Sequence, residues 1–168
     1  WDTMASGSYN NNSNTPPLFS GFERAELGWL DYTTLTSNTD TVTTLSTLGD
    51  SNKAYIVRVP NNENEYFILE NRQQEGWDKY LPGHGMLVWH IDMDEYAWYN
   101  NQVNTDANHQ RVDIVEADGK ATSHTLSGDP FPGTSNVKQF SFKAWNGNKL
   151  FGFNDVAEDN GTITFLLD

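Results

Sequence analysis

The stretch Leu81-Pro82-Gly83-His84-Gly85-Met86-Leu87-Val88-Trp89-His90-Ile91-Asp92 decides the fold. Pro82, Gly83 and Gly85 specify a tight turn, because glycine reaches backbone angles closed to other residues. A strand follows. Leu87, Trp89 and Ile91 point to one side, and Met86, Val88, His90 and Asp92 to the other. Both sides are largely apolar and need cover, which places the strand centrally in a sheet. It ends in His90 and an acidic cluster of Asp92, Asp94 and Glu95, so polar chemistry is expected where the strand leaves the core.

Outward from this strand the period stays close to two. Residues 53–59 and 65–71 read as a hairpin across Pro60-Asn61-Asn62-Glu63-Asn64. Residues 72–80 form a polar loop carrying Trp77, and residues 93–110 a loop rich in Asn and aromatics. Strands are expected at 110–117, 138–143 and 162–167, the last entered through Asp159-Asn160-Gly161. Residues 33–52, rich in Thr, Ser and Asn, read as an edge strand or an irregular linker. Residues 1–14 read as turn and loop.

The spacing predicts one helix, over 17–27. Thr15 can cap it, and Pro16 and Pro17 suit its first turn. Leu18, Phe19, Phe22 and Ala25 share a face, and Gly28 sits where a C′ glycine ends a helix. The fold expected is therefore mainly β, an antiparallel β-sandwich-like domain with one N-terminal α-helix.

The chain has 168 residues, enough for one domain with a sizeable core. Six Trp, seven Tyr and nine Phe supply strand-on-strand packing. Ten basic residues stand against 23 acidic ones, a formal net charge of −13 that repels nucleic-acid phosphates and anionic membranes. The absence of Cys excludes disulfides and thiolate metal sites. No apolar run approaches the ~20 residues of a membrane-spanning helix.

Several blocks, in order, resemble the immune inhibitor A-like family of secreted bacterial zinc metallopeptidases. They are Trp1-Asp2-Thr3-Met4-Ala5-Ser6-Gly7-Ser8-Tyr9, the segment from Pro17 to Gly28-Trp29-Leu30, and Glu65-Tyr66-Phe67-Ile68-Leu69-Glu70-Asn71-Arg72. Gly83 to Asp92, Val112-Asp113-Ile114-Val115-Glu116-Ala117-Asp118-Gly119 and Asp129-Pro130-Phe131-Pro132-Gly133 complete the set. In that family an H-E-x-x-H helix holds the catalytic zinc, upstream of the Trp-Asp-x-Met block. Two His on one helical face leave zinc an open position, and the Glu activates water. None of the four His, at 84, 90, 109 and 124, has a second His four residues on.

The resemblance therefore implies the part downstream of the zinc site. Residues 1–30 would be the tail of the catalytic domain, with Met4 at the position of the methionine turn beneath the metal. Residues 31–168 would be a β-rich C-terminal domain. Its partners would be the upstream catalytic domain and the protein substrate. The intact protein would be extracellular and bacterial, and its zinc would not be bound by this chain. A stand-alone extracellular adhesion or carbohydrate-binding module is the alternative, and a structural spacer a third.

The residues themselves offer further candidates. Asp92, Asp94, Asp106, Glu116 and Asp118 are oxygen donors at strand ends and in loops, a supply that suits calcium. The alternative is acidic, solvated loops. Trp77, Trp98 and Tyr99 are candidates for a substrate-binding platform, or else plugs at the end of a sandwich. His84 and His90 are six residues apart, which matches no common zinc spacing. A hydrogen-bonded structural His90 is the simpler expectation.

Overall fold

The structure, a computed structural model, describes residues 1–37 and 41–168. The chain is mainly β, with strands β1 (Thr33–Thr34), β2 (Val42–Leu45), β3 (Tyr55–Arg58), β4 (Glu65–Arg72) and β5 (Gly85–Asp92). They are followed by β6 (Val112–Ile114), β7 (Phe140–Lys143), β8 (Lys149–Asp159) and β9 (Thr162–Leu167). The first sheet runs β1-β3-β4-β5-β6 and the second β2-β9-β8-β7. Every neighbouring pair is antiparallel except β1 with β3.

As its pattern predicts, β5 is interior to its sheet and buried along nearly its whole length. Gly85 starts it at φ +127°, where a side chain would collide with the Phe131 carbonyl. Met86 and Val88 enter a core between the sheets with Phe142, Phe153, Ile163 and Phe165 from the second sheet. Leu87, Trp89 and Ile91 join a second core on the opposite face, with Phe22, Leu30 and Leu48. Asn71, fully buried, ties the sheets together by donating to the carbonyls of Leu45 (2.9 Å) and Gly161 (2.8 Å).

The hairpin around Asn61 and the final strand match expectation, the latter entered through Asn160 and Gly161, both at positive φ. The strand predicted at 110–117 shortens to Val112–Ile114. Strand β8 lies in a stretch for which the sequence pattern gave no strand, and Gly152 and Asp155 interrupt its alternation. Gly152 is required there by the close approach of the Phe140 carbonyl, and Asp155 sits at φ +52° where the β8–β9 register shifts, a bulge. Within 33–52, β1 and β2 are both sheet edges, and a short helix spans Leu48–Ser51. Residues 38–40 of that stretch lie outside the described residues.

The N-terminal helix differs from its prediction in extent. It spans Gly21–Glu26, because Ser20 rather than Thr15 is the cap. Ser20 Oγ accepts from the Glu23 N–H, and Glu23 Oε2 accepts from the Ser20 N–H at 2.7 Å. Gly28, at φ +72°, closes the other end, with Gly28 N–H on Ala25 O and Trp29 N–H on Arg24 O. That turn throws Leu27 and Trp29 to the surface, where Trp29 meets Phe19, while Phe22 and Leu30 are buried in the outer core. Further short helices at Leu48–Ser51 and Glu95–Tyr99 mean that the N-terminal helix is not the one helix of the fold.

A buried ionic cluster holds this segment against the sheet. Arg72 donates from Nε and Nη2 to the two oxygens of Asp78, each at 2.7 Å, and from Nη1 to Glu70 at 3.0 Å. Its Nη2 also donates to Leu18 O, Asp78 accepts from Leu18 N–H, and Glu70 accepts from Gly21 N–H. Burial opposes the Arg72 charge, but Glu70 and Asp78 more than offset it and hold the guanidinium protonated. Replacing Asp78 with Ala leaves that cation half-paired in the interior. A loss of about 3–5 kcal/mol in urea unfolding is expected.

Candidate functional site

The methionine-bearing loop is pinned at both ends and open in the middle. Trp1 is buried in the outer core, and its Nε1 donates to Asp129 Oδ2 at 2.7 Å. Residues 1–14, read as turn and loop, reach the outer core through Trp1. The Ala5 and Gly7 amides both donate to Asp2 O, and Thr3 Oγ1 donates to Pro17 O at 2.9 Å. A side chain at Gly7 would strike the Asp2 carbonyl, so the turn closes only on glycine. Met4 is carried outward at 84% exposure.

The expected calcium donors are not brought together. Asp92 accepts from Asp94 N–H and holds His109 at 2.8 Å, with Arg111 Nε 3.5 Å away. Asp94 caps the Glu95–Tyr99 helix through Ala97 N–H. Asp106 and Asp118 each accept an amide two residues on, Asn108 and Lys120. Among the described residues no group of three or more His, Cys, Asp or Glu is placed to hold a metal. Asp92, Asp94, Asp106 and Asp118 are occupied as caps, turn acceptors and ion-pair partners, uses that residue type alone does not reveal, while Glu116 lines a cleft on the outer face of the first sheet.

The aromatic candidates also separate. Trp98 is half-buried, its ring against Phe22 and its Nε1 donating to Asp92 O. Trp77 is exposed on the turn Gly76–Tyr80, and Tyr99 is exposed at the end of the Glu95–Tyr99 helix. His84 pairs with Glu158 at 2.9 Å, away from His90.

His90 is structural: its Nε2 meets Glu65 Oε1 at 2.9 Å, and its ring lies between Phe67 and Trp145, at 4.1 and 4.8 Å. Burial lowers its pKa, against the Glu65 hydrogen bond that raises it. His109 stacks on Trp145 at 4.3 Å, and Glu65 Oε1 also accepts from Trp145 N–H at 2.7 Å. This column joins β5 to the β7–β8 turn.

A cleft of about 440 Å³ opens on the outer face of the first sheet, between the Trp1–Ser6 loop, β6 and residues 116–126. Val112, Ile114 and Leu126 form apolar walls, with Asp2, Glu116 and Asp129 also in the lining; Asp113, opposite His90 in the register, occupies an inner-face position of β6. Burial, with the nearby Glu116 charge, pushes Asp113 up to about 6. Burial likewise pushes Asp129 up to about 6, although its bond from Trp1 opposes the shift. Neither Asp113 nor Asp129 was singled out as a site residue. The usable signal was an acidic residue within the short apolar run Val112-Asp113-Ile114, where a solvated position is not guaranteed.

No protein-family model, curated protein or solved structure matches this chain.

The Asp113 shift has a pH signature. Its pKa rises from the ordinary 3.8 to about 6, so between those values the folded chain binds the proton more readily than the unfolded one. Its charged form therefore costs stability above pH 6, and that cost disappears below pH 4 (both about, for a raised carboxyl). Asp113→Asn is expected to raise the melting temperature most at neutral pH. Melting curves of the two proteins should converge as pH falls towards 4 (about one unfolded carboxyl pKa).

Proposed function

We propose that this chain is a non-catalytic, β-rich C-terminal part of a secreted zinc metalloendopeptidase of the immune inhibitor A-like kind. In this reading it supports the catalytic domain or helps bind protein substrate. The observation that carries it is the Trp1–Gly7 loop. Its ends are anchored by Asp129 and Pro17 while Met4, the residue at the methionine-turn position, is held outward. A rigid loop presenting a large apolar side chain to solvent suits one that packs beneath a neighbouring domain.

The chain supplies no H-E-x-x-H pair of its own, so the water-activating zinc chemistry would belong to the upstream part. The role of this chain is then to hold the methionine turn in place. The Arg72 cluster contributes by fixing Leu18 and Gly21, which follow the loop in sequence.

Two measurements test this. The 168-residue chain alone, supplied with zinc, is expected to leave casein intact. The full gene product is expected to carry H-E-x-x-H upstream of Trp1 and to cleave casein until a chelator is added. Chelator-sensitive proteolysis by the isolated chain, or a full gene product without that motif, would overturn the reading.

A further inference from the structure

Asp129-Pro130 is the single Asp-Pro step in the chain. Such a step has a chemistry of its own. The side-chain carboxyl is tethered to the main-chain carbonyl carbon of the same residue, so attack by a carboxyl oxygen closes a succinic-type cyclic anhydride and expels the proline nitrogen. Proline has no N–H, so the competing closure, in which the next amide attacks the side chain, is unavailable.

The fold leaves one polar atom of Asp129 free for this reaction. Its N–H donates to Leu126 O at 3.2 Å, and its carbonyl oxygen accepts from Ala117 N–H at 3.0 Å. Its Oδ2 accepts from Trp1 Nε1 at 2.7 Å. Its Oδ1, on a residue 2% exposed, has no hydrogen-bond partner among the described residues. The Ala117 N–H stands at the oxygen on which negative charge develops when the carbonyl carbon is attacked. The chain is pinned on both sides of the step. Gly128 O accepts from Asp118 N–H, and Phe131 exchanges two main-chain hydrogen bonds with Met86 of β5.

We propose that this chain cleaves itself between Asp129 and Pro130. Asp129 Oδ1 bonds to the Asp129 carbonyl carbon, the bond from that carbon to Pro130 N breaks, and the carboxyl proton passes to the nitrogen. Water then opens the anhydride, leaving Asp129 as a C-terminal residue and Pro130 as a new N-terminus with a secondary amine. The net reaction is hydrolysis of one peptide bond and consumes only water. It uses neither zinc nor an upstream domain, so it stands whether or not the chain belongs to a peptidase.

The proton that leaves with Pro130 must first sit on the carboxyl. Burial, with the charges of Glu116 and Asp118, pushes the Asp129 pKa up from 3.8 to about 6, against the hydrogen bond from Trp1 and the Trp1 amino group. Asp2 and Lys120 also line the cleft that Asp129 borders, and Asp113 lies on the other face of β6. The acid form is therefore populated in mildly acidic solution in the folded chain, and only at lower pH in the unfolded one.

The test is a time course of the 168-residue chain with EDTA present, which silences any metal-dependent peptidase. At about pH 5 it is expected to yield a fragment of residues 130–168 whose sequence starts Pro130-Phe131-Pro132, and to slow as pH rises through about 6. The pieces should separate in denaturing electrophoresis and travel together in gel filtration, because Phe131 stays bonded to Met86. At that pH about nine-tenths of a carboxyl with a pKa of about 6 is protonated, against roughly one-sixteenth of an ordinary one, so the chain in urea should cleave about tenfold more slowly. Asp129→Asn keeps an acceptor for Trp1 Nε1, and Pro130→Ala keeps the Cβ beside Gly85, so both variants are expected to fold, as melting curves verify, and to lose cleavage. An intact chain at that pH overturns the proposal. So does cleavage as fast in urea, or cleavage undiminished in either folded variant.

Discussion

A buried arginine ties together three parts of this molecule. Arg72 ends β4, and its side chain engages Asp78 from the following turn, Glu70 from its own strand and Leu18 from the N-terminal segment. One cation faces two carboxylates, and amides of Leu18 and Gly21 stabilise the excess negative charge. Guanidinium geometry suits this, since its fixed fork can satisfy Asp78 bidentately and still reach other acceptors. Such a cluster contributes less to net stability than its bond count suggests, because desolvation opposes the attraction. Its consequence here is positional: it sets where the helix Gly21–Glu26 begins and how the segment before it crosses the sheet.

That placement produces the layering. The first sheet is covered on one side by the second sheet and on the other by the N-terminal segment with its short helices. The inner core is aromatic, with Phe67, Phe140, Phe142 and Phe153 in mutual tilted or edge contact. At one end of that core the packing turns polar. Phe67, His90, Trp145 and His109 stack in sequence while Glu65 and Asp92 hold the two imidazoles. Buried polar groups of this kind add geometric specificity when every member is paired.

The outer core follows a different logic near β6. There Trp1 meets Asp129, the Trp1–Gly7 loop closes on Asp2 O, and the wall it forms leaves a cleft rather than a packed seam. The Met4 loop and the acidic cleft are two faces of one construction, since Trp1 anchors the first and lines the second.

Much of the fold was legible in local pattern. Alternation placed β5 and its faces, Pro60 to Asn64 marked a hairpin, and Asn160-Gly161 marked the last turn, because each is a constraint that neighbouring residues impose on one another. The helix was visible but its start was misread, since Thr15 and Ser20 are both chemically competent caps and only Ser20 has Glu23 three residues on, beside a docked Gly21. Strand β8 was hidden because Gly152 and Asp155 answer to Phe140 and to a bulge, not to their neighbours in sequence. The site was less legible still. Residue type determined that Asp92, Asp94 and Glu116 carry charge and that Trp98 can stack; it did not determine that Asp92 is held by His109, that Trp98 is spent on Phe22, or that Asp129 is held by Trp1. Charge, capping and period are local properties, written in the sequence. Burial and pairing depend on which distant segments meet, and here that was decided only when the N-terminal segment closed over the sheet.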